Sequence, residues 1–360
     1  EVRRLEDERA ELEAAIAGHT KLLESETRQR TLVLNELGEA VKQFGRDRST
    51  EIVNPDDLPV FDSIEVADDV ADEPCVVTLS TSGQIGRLPA EGAKRATPGR
   101  HDVLVAQLLT RTTSTVTAVT SEGRALQVLP AELADGEGRA RGAGATQAFG
   151  TNRGEVIHTV VADGDEHLVV VSAQGAAKRL TMAEVRETRG GRTIMKLKTG
   201  DRVAAAFTAP DGVDVVFVAS DGQVLRTAVD GISVQGRGAS GVAGMKLRDG
   251  ATVVAAAAVL GDDALVTVTD DSSVKATPLS ELEAKGRGGI GVRVSRLADG
   301  ASLSVAHVGP AIGLLAIMAS DDDAKKPDPA PVPLMLEATK RDLVSAESER
   351  QILAIGPARW

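Results

Sequence analysis

The sequence predicts an all-β array of six propeller-like blades preceded by an α-helical coiled-coil segment. Three observations carry that expectation. The first 46 residues lack proline and place leucines at heptad spacing. A strand–turn–strand unit recurs from residue 75 onward, and Arg-Gly pairs return at spacings of 48, 48 and 50 residues (Arg141, Arg189, Arg237, Arg287). A period near 50 built of strand pairs is the signature of a propeller-like array, one blade per repeat.

Composition agrees with thin, repeated layers. Of 360 residues 42% are hydrophobic, yet only 2% are aromatic and none is tyrosine. Small and β-branched side chains must therefore fill the interior. The single cysteine, Cys75, excludes an internal disulfide framework and fits a reducing cytoplasm. The N-terminus shows no charged-then-apolar signal segment. The longest apolar run, AIGLLAIMA at 311–319, falls far short of the roughly 20 residues that span a bilayer. The expectation is a soluble protein with no membrane partner.

Within residues 1–46, Leu5, Leu12, Ile16 and Leu23 fall on heptad a and d positions, and Leu37 and Phe44 resume the d positions. His19 and Glu26 interrupt the a positions, so two helices or one broken helix are expected, mostly in a coiled-coil arm. The alternative is an amphipathic helix packed on its own domain. Residues 47–74 are acidic and carry proline, and read as a linker. Residues 75–360 then carry the blades. CVVTLSTSGQIGRLPA, VTAVTSEGRALQVLPAELA, HLVVVSAQGAAKRLTMAEV and VVFVASDGQVLRTAVDGI each run a β-branched strand into a turn with glycine (Gly83, Gly123, Gly175, Gly222) and out through a second strand. A fifth copy, ALVTVTDDSSVKATPLSELE, has DDSS in place of the glycine turn. A sixth starts at GLLAIMAS, with a Pro-rich charged insertion (321–333) replacing the tight turn.

The net charge of -12 argues at first against a polyanion partner. Residues 73–300, however, hold 26 Lys+Arg and 26 Asp+Glu, so the acidic excess lies entirely outside them. Acidic turns (DGDE at 163–166, DGVD at 211–214, GDD at 261–263) sit half a period from the Arg-Gly pairs, which predicts opposite margins of the array. The basic loops carry Arg141, Arg189, Arg192, Arg237, Lys285 and Arg287; Lys178, Arg179, Arg226 and Lys275 stand on the hairpins between them. Gathered on one margin, these residues form a curved positive track suited to a phosphate backbone. With almost no aromatic side chains for stacking single-stranded bases, duplex DNA bent around the rim is the better fit. The competing reading is that Arg and Gly only form solvated turns; a propeller acting as a protein-interaction scaffold is the corresponding alternative function.

Other chemistry is absent from the pattern. The five histidines (His19, His101, His158, His167, His307) lack ligand spacing, which leaves no metal site. GRGGIG is followed by no Lys-Ser/Thr and no helix signal, so a nucleotide loop is not expected. No catalytic constellation is present.

In this order the motifs resemble the C-terminal part of the A subunit of bacterial type IIA DNA topoisomerases, gyrase and topoisomerase IV. LNELGEAVKQFGRDRSTEIV (34–53) looks like the family's exit from its coiled-coil arm, and the TSxGxxxR hairpins with Arg-Gly connectors look like its β-pinwheel domain. The resemblance implies a six-bladed β-pinwheel whose blades exchange strands and whose rim bends duplex DNA for strand passage. It implies an A-subunit homodimer joined to a B subunit in an A2B2 holoenzyme, located in the cytoplasm on the nucleoid. The family's DNA-cleaving tyrosine lies upstream, and ATP and Mg2+ belong to the B subunit, so this segment is expected to hold no cofactor. A chain that starts inside the arm reads as a fragment. The gyrase-specific box, Gln-Arg-Arg-Gly-Gly-Lys-Gly, has no counterpart in the first-blade connector EGAKRATPGRHD (91–102). That connector keeps Lys94, Arg95 and Arg100 as DNA-contact candidates but lacks Gly-Gly; KGRGGIG (285–291) comes nearest, with Ile in place of Lys. The likeness is therefore greater to topoisomerase IV, with gyrase the alternative.

Overall fold

A computed structural model describes residues 1–45, 70–91, 101–134, 142–164, 166–187, 190–261, 263–320, 323–327 and 330–357. The chain divides into two units, residues 1–65 and 66–360.

The first unit contains two helices, α1 (Val2–Leu23) and α2 (Glu26–Phe44). The break falls where the heptad pattern lapses: Ser25 takes an extended conformation and its hydroxyl accepts from Arg28 N at 3.4 Å, capping α2. Glu26 in the first turn and Lys42 in the last complement the helix dipole. Neither helix buries a residue, and the heptad leucines Leu5, Leu12 and Leu23 are all exposed. The apolar seam is present and exposed among the described residues. Most of the linker, 46–69, lies outside the described residues. Its end is tied to the second unit, where Arg111 Nε meets Asp72 at 2.6 Å and Thr112 Oγ1 donates to Ala71 O.

The second unit is a ring of six antiparallel blades, as the repeats predict. Each hairpin unit read from the sequence forms the middle of a blade: Pro74–Ser80 with Gln84–Pro89, Val116–Thr120 with Ala125–Val128, His167–Ser172 with Ala176–Leu180, Asp214–Ala219 with Gln223–Ala228, Ala264–Thr269 with Ser273–Pro278, and Leu314–Ser320 with Val332–Leu334. On the inner side these pair with Leu104–Arg111, Ile157–Ala162, Val203–Ala209, Val253–Val259, Leu303–Gly309 and Ile352–Pro357. The inner strands follow one another around the ring, and Ile352–Pro357 packs back on Leu104–Arg111. At that junction a side chain on Gly356 would stand 2.2 Å from Leu104 O.

The outer edges show the strand exchange. Ala143–Gly144 pairs with blade 1, Val242–Ala243 with blade 3, Val292–Arg293 with blade 4, and Ala346–Glu347 with blade 5, each supplied by the repeat that follows. Thr193 bridges to Arg124 of blade 2 in the same manner. The cores lie between blades. Val169, Val171 and Ala177 of blade 3 pack with Val215, Phe217 and Leu225 of blade 4, for example. Inner strands rich in alanine (VAAAFTA, VVAAAAV) keep the sheets close together, which is why so few aromatics suffice.

The hairpin turns need a left-handed residue, and Gly83, Gly123, Gly175 and Gly222 supply it at φ of 73° to 83°. In blade 5 Ser272 adopts φ 72° without being glycine. Gly175 carries a second constraint, since a Cβ there would lie 2.4 Å from Met245 O, whereas one on Gly83 would meet nothing within 4 Å. Gly83→Ala is expected to cost the backbone strain alone, about 1–2 kcal/mol. Gly175→Ala adds a backbone clash and is expected to cost clearly more. Thermal denaturation of the two variants side by side checks the order; equal losses would show that the strap carrying Met245 is free to move.

Candidate nucleic-acid interface

In the second to fifth repeats the chain makes a short helical turn after the second hairpin strand. In the fourth and fifth it then runs through the basic loop, pairs along the outer edge of the preceding blade, and crosses to the inner strand as a strap. The straps cross at the glycine-turn ends: Ile194 N donates to Gly123 O (2.8 Å), Gly244 N to Gly175 O (2.9 Å) and Val294 N to Gly222 O (3.0 Å). Asp211, Asp214 and Asp263 fall at the other ends of the same strands, as the half-period phase predicts.

The hairpin cations do not face solvent, which corrects the expectation for Lys178, Arg179, Arg226 and Lys275. Lys178 is fully buried and its ammonium donates to Gly236 O (2.8 Å), Arg237 O (3.1 Å) and Ala239 O (3.1 Å). Burial pushes it down to about 8, with Glu184 opposing the shift. Lys275 donates to Val294 O (2.8 Å) and Leu343 O (3.1 Å), and burial lowers it too, against the pull of Asp342. Arg179 reaches Ile232 O (2.8 Å), Asp211 (2.6 Å) and Asp230 (3.2 Å). Arg226 meets Asp214 at 2.7 Å and donates to Leu279 O (3.0 Å) and Leu282 O (3.4 Å). All four fasten the turn or loop of the following repeat. Strand alternation shows that such a position points away from its own core, but not that another repeat's segment covers it.

Lys94, Arg95, Arg100, Arg141 and Arg189 lie outside the described residues. The remaining candidates reach the surface. Arg192, Lys285 and Arg287 are exposed. Arg287 is steadied by one bond to Ala243 O (3.2 Å). Arg237 is half-buried, bonded to Glu187 O at 3.2 Å with the Glu187 carboxylate at 3.8 Å.

A second series of cations is not among the sequence-predicted candidates. Lys196, Lys246 and Arg296 recur at intervals of 50 on the straps and are exposed, as are Lys198 and Arg248. Each strap touches the basic loop of the next repeat: Lys196 N donates to Ala239 O (3.2 Å), Lys246 N to Gly289 O (2.9 Å), and Arg296 pairs with Val344. Counting back from the paired strands, Arg341 holds the place of Arg237 and Arg287. Cations that are exposed, or half-buried at Arg237, therefore alternate, loop and strap, from Arg192 through Lys196, Arg237, Lys246, Arg287 and Arg296 to Arg341. The signal in the sequence is the 50-residue return of Gly200, Gly250 and Gly300, each four residues beyond one of these cations.

Among the described residues no carboxylate comes within ion-pair distance of Lys196, Lys246 or Lys285. The far end is partly neutralised, with Asp342 2.6 Å from Arg293 and 3.6 Å from Arg296; the Arg293 hydrogen bond holds its carboxyl below the usual range. Among the described residues no three His, Cys, Asp or Glu side chains converge into a metal-holding group. No described helix is long and apolar enough to cross a membrane.

A closed ring of strand-exchanging blades with cations repeating along its glycine-turn margin defines a propeller-like domain of six blades. Residues 166–210, 214–259 and 263–308, which bracket the third to fifth hairpins, match the family model described as DNA gyrase C-terminal domain, beta-propeller. The chain is similar to the DNA gyrase A subunit of Aminobacterium colombiense (26% identical, covering 64% of this chain and 28% of the relative) and to that of Staphylococcus aureus strain COL (28% identical, 65% and 27%). It thus spans under a third of the length of these relatives. Among solved structures it resembles the C-terminal domain of DNA topoisomerase IV (TM-score 0.68, 20% identity, 80% of this chain and 95% of that one). It also resembles the DNA gyrase A C-terminal domain (TM-score 0.57, 19% identity, 79% and 99%). Three repeats within residues 166–308 of this chain are thus of the DNA gyrase C-terminal domain type.

The two kinds of arginine make separable predictions. Arg179→Met leaves Ile232 O and two carboxylates without their donor, and is expected to destabilise the domain by about 1–3 kcal/mol. Arg237→Ala removes a partly exposed side chain and is expected to cost less than about 1 kcal/mol. Urea denaturation of both checks the contrast; equal costs would remove the distinction between fastening and surface cations.

Proposed function

We propose that this chain is the DNA-binding and DNA-bending C-terminal region of the A subunit of a type IIA DNA topoisomerase. The observation that carries the reading is the alternation of loop and strap cations that reach the surface from Arg192 to Arg341, linked at Lys196 and Lys246 by backbone hydrogen bonds between repeats. Such a row neutralises successive phosphates of a duplex and releases their counterions, which gives salt-dependent, sequence-blind affinity. Bending the duplex along a curved edge costs elastic energy that additional phosphate contacts offset. The acidic turns on the other margin repel the same backbone and confine DNA to one side.

With no tyrosine in the chain, DNA cleavage resides in another part of the A subunit, while ATP and Mg2+ serve the B subunit of an A2B2 holoenzyme. The uncovered heptad face of α1 and α2 fits an arm that pairs in the A-subunit homodimer. The setting is the cytoplasmic nucleoid. The topoisomerase IV reading rests on the connector at 91–102, which lacks the Gly-Gly of the gyrase box. Gyrase is the second reading, favoured by the curated relatives. Religation of a nicked circle on the domain separates them: strong positive writhe selects gyrase, little writhe topoisomerase IV.

The DNA reading itself is tested with K196A/K246A/R296A. Duplex affinity should fall alike for all sequences, and the slope of log affinity against log salt should flatten by roughly 3. Unchanged affinity between about 50 and about 200 mM salt for the unaltered chain would instead favour a protein-interaction scaffold.

A further inference from the structure

Lys178 is the most deeply buried charge among the described residues, and its position in the ring has a consequence for the edge of the blade. All three ammonium protons are spent on carbonyls of one loop, at Gly236, Arg237 and Ala239. Two of those carbonyls bear directly on exposed cations: one belongs to Arg237 itself, and Ala239 O also accepts from Lys196 N at 3.2 Å. A neutral amine has two protons and a lone pair, so it can satisfy two of these carbonyls and turns its lone pair on the third. The loop bulges between two anchored points, Gln235 N to Arg179 O (2.9 Å) and the pairing of Val242 with Ala177. Between them the ammonium takes three of its carbonyls, beside the Lys196 N and Arg237 bonds to Ala239 O and Glu187 O. Lys275 repeats the device two blades on, donating to Val294 O and Leu343 O under the loop that carries Arg341.

We propose that Lys178 is a positioning residue that holds the 236–239 loop so that Arg237 and Lys196 present their charges together to the DNA backbone, and that this presentation loosens when Lys178 gives up its proton. The inference rests on the DNA reading above and adds a regulation to the same site. The charged groups facing the ammonium are Glu184 from the helical turn Met182–Arg186, which favours the protonated form, Arg237 from the loop with its partner Glu187, and Arg179 on its own strand, which points toward Asp211 and Asp230.

The sign separates positioning from mere stability. Burial lowers this group to about 8 in the folded chain, while in the unfolded chain it ionises near 10.5. Above pH 8 the unfolded state binds more protons, so this group makes the fold more stable as pH rises through that window. Loss of the third donor acts the other way on the loop. Affinity for DNA and stability of the fold therefore move in opposite directions between about pH 7 and about pH 9.5, where unperturbed surface lysines and arginines stay largely charged.

The test uses the full chain, an arbitrary-sequence duplex of about 100 base pairs and fixed moderate salt. Unaltered protein should lose affinity about five- to tenfold from pH 7 to pH 9.5 while its melting temperature does not fall. K178M, of similar length and suited to a buried site, should start with the weaker affinity at pH 7 and show a flatter profile. Amide exchange of residues 236–241 should be faster in K178M than in the unaltered chain at pH 7. The double variant K178M/R237A should lose less affinity than the two single losses combined, the non-additivity expected of residues acting through one loop. A flat pH profile for the unaltered chain together with unchanged loop exchange in K178M overturns the coupling and leaves the DNA reading intact. Failure of the unaltered chain to bind duplex at any salt overturns both.

Discussion

The domain depends on strand exchange. A blade built only from its own three strands would leave the second hairpin strand as an open edge, with unpaired amides and carbonyls inviting other chains. Along the first five blades the following repeat instead sends a short segment back to pair on that edge, at Gly144, Thr193, Val242, Val292 and Ala346. The pairing is brief, two residues where a ladder forms, so side chains complete it. Lys178, Arg179, Arg226 and Lys275 donate into the carbonyls of the incoming segment, and Gln127 does the same from blade 2, reaching Val185 O at 3.0 Å.

This makes two populations of cation with different physics. Those beneath the exchanged segments are desolvated and spend their protons on backbone oxygen, so their contribution is geometric: they decide where a loop runs. Those on loops and straps reach water and project a longer-range field. In a chain with a net charge of -12, Asp211 and Asp214 absorb the charge of Arg179 and Arg226 at one end of the strands, while at the glycine-turn end Asp221 lies 3.8 Å from Arg248. The placement of charges along the strand direction, rather than total charge, sets the field at each margin.

Much of this is legible in the residues. Gly83, Gly123, Gly175 and Gly222 mark hairpin turns because left-handed backbone is nearly reserved for glycine, and all four take it. The DDSS unit is also a hairpin, at the expense of a strained Ser272. The phase of the acidic turns translates into a margin of their own, since they lie at one end of the hairpin strands and the straps cross at the other. The hairpin lysines and arginines mislead for a specific reason. Their alternation identifies a side chain leaving its own sheet, and on an edge strand that ordinarily means water. Lys196, Lys246 and Arg296 are inconspicuous because no glycine adjoins them; they declare themselves only by their fixed distance from Gly200, Gly250 and Gly300.

From the sequence alone come the repeat count, the hairpins, the helical segment with its break, and the alternation of charge, all properties that local spacing dictates. The partner of each edge strand, the burial of Lys178, Arg179 and Lys275 and the joining of loop to strap across repeats are decided only in the assembled ring. These depend on contacts between residues more than 50 positions apart, such as Gln127 with Val185 and Lys178 with Gly236. No local pattern encodes which neighbouring repeat will supply the covering segment, because every repeat offers a similar one. Ring geometry selects it.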